Sequence, residues 1–550
     1  MFRKILVLFI FCLLHYQAKE IVGYDWSDHF GYANINGNIM WNTDWNAGPF
    51  FFDGTWSSNP GVMGPHIKNM FSNTNLDSAK AENNKVLSNF DYIQGDYLQD
   101  ELSVSLKHFN SNKNFLVING FKRSYAGIYN QYTPSGSFPK PIHQTYTIHF
   151  EKNKKNEQVG VAIGHFNTLS GIPVDKDISW KALYDSRITS SNIFWSKKYN
   201  YFDINLKNYH FLQRFFSDYY SPDTISSVIY NSSTSTHSEY LNSVRYLNRQ
   251  KREIVIDLNN KSNFRFNFYF ELNSRRIKKV KINPDRWENF LLGIKYNKNF
   301  FLRIGSNFSQ KQKNMIYELE HNRKWNNVQI KLVSKKNVFP SHPYFGELTK
   351  ISSLSSSQVE ILLSFSNFRL FNWVAYNHYI GPLIFNKEVE NYDDFNINLG
   401  SQLNWHTNQF YKLSIKFSHN QNGHYLNDGV KNKLSIVSQY NLKAFQSVLD
   451  LNLKMAITSW WNRQSGWYLH PIESIPVSTS NEGFSDDIWF IDLSISAVVA
   501  SFTITYKWKN ILSYLERIGY KQFANNLYFH PLMPEVGSLN SLKITWDFLN

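Results

Sequence analysis

Phe264-Arg265-Phe266-Asn267-Phe268-Tyr269-Phe270-Glu271-Leu272 places an aromatic or aliphatic side chain at every second position and sets Arg265, Asn267, Tyr269 and Glu271 between them. A period of two divides residues into one apolar and one polar face only in a β-strand, where successive side chains point to opposite sides. The pattern recurs about twenty times along the chain, and the links between its copies are alternately very short and very long. That rhythm predicts an all-β protein, a transmembrane antiparallel up-and-down β-barrel with tight turns at the periplasmic end and long loops outside.

Short polar links are expected near Asn110 to Lys113, Lys198 to Asn200, Asn297 to Asn299, His321 to Lys324, Asn441 to Lys443 and Val499 to Ser501. Longer stretches lie near His210 to Lys251, Lys335 to Ser357, His378 to Asp393, Thr458 to Asp487 and Asn510 to Leu539. Loops of that length count against strand assignments in a compact soluble domain, whereas outer-membrane barrels carry them routinely. Beyond the first twenty residues no run of 18 apolar residues occurs, which leaves the closed barrel as the spanning structure. Aromatic residues make up 17% of the chain and charged residues 18%, with a mean hydropathy of −0.42. The average looks polar because only one face of each strand meets lipid.

Arg3 and Lys4 precede the apolar stretch Ile5 to Leu14, and Ala18 is a small residue before Lys19, so residues 1–18 read as a secretory signal peptide. The sole cysteine, Cys12, falls inside it. A mature chain without cysteine has no disulfide framework and no cysteine-held metal or cluster, and no cofactor is expected. The N-terminal segment 19–85 carries Trp26, Trp41, Trp45, Trp56 and the run Gly48 to Gly54, an apolar content that suits a small hatch better than a disordered periplasmic arm. The barrel is expected over 86–550.

At the other end, Leu542, Ile544, Trp546 and Phe548 alternate with Ser541, Lys543, Thr545 and Asp547, and Pro531, Pro534 and Gly537 stand just upstream. This end resembles the closing segment of Bacteroidetes-type porins and of the barrels of TonB-dependent receptors. Both finish with a Pro/Gly-containing loop and an alternating strand with Trp or Tyr and a near-terminal Phe. It departs from them in Leu549 and Asn550 after Phe548, and in Ser538 where an arginine is usual. The resemblance implies that Leu542, Ile544, Trp546 and Phe548 form a terminal strand read by the outer-membrane assembly machinery. It also implies a barrel without a full receptor plug, since residues 19–85 are fewer than such a plug contains.

Twenty-one strands can be traced from Glu101 onward, and an even number is needed to bring both termini to the periplasm, so Val86 to Tyr92 is added to make 22 within a range of about 18 to 22. A barrel of that size encloses a lumen. In strands with a clear lipid face the inward set contains Lys207, Arg265, Lys295, Arg303, Lys412, Lys416, Lys454, Lys507 and Lys543, against Asp203, Glu271, Glu360, Asp450 and Asp547. With a formal net charge of +15 this excess is expected to favour small anionic solutes, unless the charges pair across strands. Basic loop residues suit lipopolysaccharide as well as lipid.

Trp460, Trp461, Arg463, Trp467 and Tyr468 are loop ligand candidates for a sugar or a planar solute, with the alternative that Trp460 and Trp461 end a strand in an aromatic girdle. His378, His419 and His424 are the histidines to check for catalysis, but no G-x-S-x-G or H-E-x-x-H motif accompanies them, so no enzyme is expected. The basic residues are spread out rather than clustered, against a nucleic-acid module. These readings converge on an outer-membrane channel of porin type for diffusion or uptake of small solutes in a Gram-negative-type bacterium. The alternative is a transporter or surface receptor like the TonB-dependent receptors, with a short or separately supplied plug.

Overall fold

The computed structural model describes three short N-terminal strands and, from Val86 on, the strands and tight turns. Residues 1–19, the rest of 19–85 and most of the outer loops (among them 174–180, 219–244, 279–284, 341–350, 422–429, 470–475, 479–486 and 520–537) lie outside the described residues. The signal-peptide reading and the Gly48 to Gly54 run therefore fall outside them. Strands β1 (Glu20–Val22), β2 (Tyr32–Ile35) and β3 (Asn38–Trp41) form a small antiparallel sheet.

The barrel opens with β4 (Val86–Gly95), β5 (Gln99–Phe109), β6 (Phe115–Ser124), β7 (Ile142–Lys154), β8 (Glu157–Pro173), β9 (Lys181–Lys198) and β10 (Phe202–Asp218). It continues with β11 (Arg245–Asn259), β12 (Phe264–Lys278), β13 (Asp285–Tyr296), β14 (Phe300–Ser309), β15 (Gln312–Trp325), β16 (Val328–Pro340) and β17 (Ile351–Ser364). Next come β18 (Phe368–Phe385), β19 (Glu388–Thr407), β20 (Tyr411–Asn420), β21 (Val430–Ala444) and β22 (Leu449–Arg463). After a short loop hairpin of β23 (Trp467–Leu469) and β24 (Pro476–Ser478), the wall ends with β25 (Ile488–Val499), β26 (Phe502–Lys509) and β27 (Leu539–Leu549). Because β22 pairs directly with β25, the β23–β24 hairpin stands outside the wall and 22 antiparallel strands remain.

Each strand pairs with its sequence neighbours, and β27 closes the ring on β4 through Ser541↔Gly95 to Leu549↔Leu87. Closure removes both sheet edges, the condition for β-structure in lipid. The even strand number returns both ends of the wall to the same rim. That rim is made of tight turns, in which Asn297, Asn326 and Ala500 adopt positive φ of 52°, 40° and 54°. A helix, α1 (Ile511–Arg517), follows β26 at the other rim. No helix among the described residues is long and apolar enough to cross a membrane.

The period-two pattern sets the two faces. Phe264, Phe266 and Phe268 are 50%, 49% and 39% exposed, while Asn267 between them is 1% exposed. The exposed row continues round the barrel through Leu292, Ile304, Val374, Leu399, Leu453, Ile504 and Leu542, the apolar band that a bilayer covers. At the tight-turn rim it ends in Tyr199, Tyr201, Tyr296, Trp325, Phe365, Trp405 and Phe410. These rings sit at the lipid–water boundary, where amphipathic aromatics are most stable. A closed barrel with this exterior is an integral protein of an outer membrane. In β27, Leu542 and Trp546 are exposed on that face and Phe548 lies 5.3 Å from Trp546, ring to ring.

Two expected turns lie elsewhere. His321 to Lys324 is still strand, and the turn falls between Trp325 and Val328; Asn441 to Lys443 is likewise strand, within β21. In both cases the polar residues belong partly to the wet face, and Trp325 and Leu442 still stand on the lipid side. The outer loops are shorter than expected for the opposite reason. His378 to Asp393 is nearly all strand, and β17 continues outward through Ser352, Ser353, Ser355, Ser356 and Ser357. Above the bilayer nothing demands an apolar row, so pairing persists without the pattern that reveals it.

Candidate functional site in the barrel lumen

The inward rows of β10 to β15 form one connected polar wall. Lys207 and Glu253 stand opposite each other in register, and Lys207 Nζ lies 3.1 Å from Glu253 Oε1. One step along, Lys251 Nζ reaches Glu271 Oε2 at 2.9 Å, with only 8% and 5% of the two side chains exposed. Glu271 also accepts hydrogen bonds from Tyr269 and Asn273, and one of 3.4 Å from Asn289 Nδ2. Asn307 Nδ2 in turn donates to Asn289 Oδ1 at 2.6 Å.

Nearer the tight turns, Asp257 Oδ1 accepts from Lys295 Nζ at 2.9 Å and from Asn267 Nδ2 at 2.6 Å. Asn267 Oδ1 accepts from Arg303 Nε at 2.5 Å, and Arg303 continues to Glu318 at 3.1 Å. The Arg303 guanidinium lies 4.7 Å and 4.5 Å from the ring centres of Tyr269 and Phe301, and Gly293 opposite leaves room for its stem. A charge in a low-dielectric wall is costly unless it is paired and hydrogen-bonded, and each of these is both. Above them Leu291, Ile316 and Val338 pack into an apolar cluster with Tyr269 and Ile351. The outer end of β16 leaves β15 after Lys336, and Val338 there meets Leu291 on β13.

The inward rows of β18 to β22 are built differently. Trp373 faces Gly400 in register and lies flat on it, so that a Cβ at Gly400 would sit 1.8 Å from the indole. The Trp373 indole N–H donates to Asn398 Oδ1 at 2.6 Å, Phe371 stacks beside the ring at 5.4 Å, and Lys416 Nζ is 5.4 Å above it. Asn404 Oδ1 accepts from Gln402 at 3.1 Å and from Ser414 at 2.7 Å. Phe194 covers Gly160 in the same manner on β8 and β9.

Among the expected lumen residues, Lys207, Lys295 and Arg303 are thus held in ion pairs, and Lys543 is 3.1 Å from Asp91 across the closing seam. Arg265, Lys412 and Lys454 are exposed on inward rows and make no hydrogen bond or ion pair among the described residues. Lys507 shares its inward row with Ser494 and Ser541. The strand pattern left out the acids Asp91, Glu253, Asp257 and Glu318 and the ring of Trp373. Only register reveals the acids, while an inward tryptophan opposite a strand glycine is a signal that the sequence does contain.

Trp460 to Arg463 are the end of β22, and Trp461 packs 6.0 Å from Phe417 on the outward face, in the girdle position. Trp467 and Tyr468 lie in β23, whose partner β24 reaches the outer end of β18 through Ile384↔Val477 and Phe385↔Ser478. The side chains of Trp460, Arg463, Trp467 and Tyr468, and all of His424, lie outside the described residues.

His378 stands opposite Ser355, and its Nε2 is 2.6 Å from Asp393. This has the residue types of a nucleophile relay, but Ser355 and His378 share no hydrogen bond and the row is on the outward face. It is a cross-strand hydrogen bond on the outward face. His419 bonds Asn432 at 2.8 Å on another pair of strands. No group of His, Cys, Asp and Glu suited to a metal occurs among the described residues.

No protein-family model and no curated protein matches the chain. Solved structures do match in fold. A mutant of the ferric enterobactin receptor PfeA of Pseudomonas aeruginosa superposes with a TM-score of 0.59 at 9% identity, covering 84% of this chain and 80% of that one. The siderophore receptor PirA of Acinetobacter baumannii gives 0.59 at 9%, over 85% and 81%. The apoprotein form of the FrpB iron transporter of Neisseria meningitidis gives 0.58 at 9%, over 98% and 96%. At such identity the likeness is one of architecture. The chain is a 22-strand outer-membrane barrel with the fold of these transporters and receptors.

Proposed function

We propose that the protein is a solute-uptake transporter of the TonB-dependent-receptor type, with a lumen closed by its own N-terminal segment 19–85. The observation that carries this is the closed 22-strand wall, whose fold is shared with receptors and transporters over four-fifths or more of their chains. Barrels of 16–18 strands leave open aqueous channels, whereas 22-strand barrels are the size of plugged transporters. The immobilised lumen wall of β10 to β15 supports the same reading, since a fixed polar surface can hold a plug or a passing ligand in register. The solute this reading expects is small.

A second reading, passive conduction with a preference for anions, draws support from the exposed Arg265, Lys412 and Lys454, which have no ion pair among the described residues. Planar-bilayer recordings separate the two. The transporter reading expects the full chain to be silent and the barrel lacking 19–85 to show large conductance steps. Steps from the full chain would favour the channel, and a folded barrel silent in both forms would overturn both.

A further inference from the structure

Outside the barrel, immediately beyond the apolar band, β9 to β15 carry a crescent of basic side chains. On β11 the outward row reads Tyr246, Asn248, Gln250 and Arg252 above Ile254, Ile256 and Leu258, so Arg252 is the first residue past the lipid-facing stretch. On β12, Arg276 stands above the Phe264 to Phe270 row and Leu272, and on β13, Arg286 stands above Phe290. Lys313 lies above Met315 on β15, its Nζ 6.0 Å from the ring of Phe308. At the other end of the crescent Arg187 and Arg214 face each other on β9 and β10. Asp185 holds both, at 3.5 Å from Arg187 and 3.1 Å from Arg214.

Register places these residues on one outward face. Arg187, Arg214 and Tyr246 share one cross-strand row, and Arg252, Glu288 and Lys313 share another with Leu272 and Phe308 between them. The six basic residues are countered by Asp185 and Glu288 on the described part of that face. The distribution is one-sided. Half-way round the barrel, at the same rim, the outward positions beside β25, β4 and β5 are Asp487, Asp96 and Asp100, with Lys122 as their basic neighbour on β6. A general need for solubility would charge both sides alike.

We infer that the outward face of β9 to β15 is a docking surface for a phosphorylated lipid of the outer leaflet, of the lipid A class. Three features fit that occupant. Arg252, Arg214 and Lys313 stand directly above the outward Ile254, Leu212 and Met315, and Arg276 and Arg286 stand one outward position further out, above Ser274 and Glu288, so the cations lie at headgroup height over side chains that can meet the acyl chains of the same molecule. Arginine supplies five of the six cations, and its planar fork takes phosphate oxygens two at a time where an ammonium offers a point charge. The crescent crosses seven strands, roughly 29 Å at about 4.8 Å per strand, wide enough to hold phosphates that are fixed on one headgroup. This inference goes beyond the transport reading and does not depend on it.

The test uses the full chain in nanodiscs of zwitterionic lipid, titrated with bisphosphorylated lipid A and followed by native mass spectrometry and thermal unfolding. Lipid A should bind and raise the unfolding temperature. The triple variant Arg252→Gln/Arg276→Gln/Arg286→Gln should weaken binding about a hundredfold, as expected for three cations at an anionic surface, and should do so less in high salt. Lys122→Gln on the far side should bind like the parent. The inference is overturned if lipid A binds the triple variant as tightly as the parent, or if inorganic phosphate alone reproduces the stabilisation. Far-ultraviolet circular dichroism and heat-modifiable migration verify that the triple variant is folded, which its exposed positions favour.

Discussion

The lumen walls on β10 to β15 and on β18 to β22 are both polar, yet they meet the cost of a wet interior by different means. The first rests on charges paired at contact distance, Lys207 with Glu253, Lys251 with Glu271, Lys295 with Asp257 and Arg303 with Glu318, and leaves Arg265 exposed at its tight-turn end. The second uses neutral amides and hydroxyls around an indole laid on a glycine, and leaves Lys412 and Lys454 exposed to solvent. The most deeply buried of these pairs, Lys251 with Glu271, fixes both side chains, because either partner left alone carries an uncompensated charge. Neutral groups tolerate a missing partner far better. One wall is therefore a more fixed surface and the other a more adaptable one.

The sharpest way to break the charged wall is Glu271→Ala. It leaves Lys251 in a site where 8% of its side chain is exposed and removes the acceptor shared by Tyr269, Asn273 and Asn289. Breaking one side of such a buried pair costs about 3–5 kcal/mol. The variant should lose heat-modifiable migration at clearly lower temperature or urea concentration than the parent. Replacing both partners, Lys251→Met with Glu271→Leu, should recover most of the loss. A single variant as stable as the parent would mean that water reaches this pair and that the two walls do not differ in kind.

The neutral wall breaks by shape. Gly400→Val drives a branched side chain into the space that the Trp373 indole occupies, where even a Cβ comes within 1.8 Å. The ring can swing into the lumen, so the expected loss is about 1–3 kcal/mol, the range for overpacking, and smaller than that of Glu271→Ala. Tryptophan emission should shift to the red as the indole leaves Asn398. An unchanged spectrum with unchanged stability would show that Trp373 does not rest on Gly400.

The barrel itself was readable because lipid imposes a strict rule: Phe264 to Leu272 must alternate wherever a bilayer covers one face. Strand number follows from that rule and from parity. The rule lapses in two places. In the serine-rich outer half of β17 and in Arg245 to Arg252 of β11, the strands stand above the bilayer and pair without an apolar row, so their ends were placed too early. In the lumen, the partner of each charge is fixed by register between distant segments. Asp257 and Lys295 are 38 residues apart in sequence. The inward set named from the strand pattern contains neither Glu253 nor Asp257 of β11. Local sequence shows which face a lysine occupies but not whether a carboxylate waits across the sheet.

That distinction gives the finest discrimination between the walls, in ion selectivity. In the form lacking 19–85, Lys412→Gln with Lys454→Gln removes two exposed positive charges that have no ion pair among the described residues. The reversal potential in a salt gradient should move away from the anion. Salt screens exposed charges beyond about 10 Å at 0.1 M, so the change in the anion-to-cation permeability ratio should be roughly twofold or less and should grow as salt is lowered. Lys207→Gln with Glu253→Gln removes a pair whose Nζ and Oε1 are 3.1 Å apart. Such a pair presents a short dipole rather than a net charge to the lumen, and its loss should leave the reversal potential where it was. If the two double variants shift it equally, the lysines of the adaptable wall are as well compensated as those of the fixed one, through groups in the outer loops.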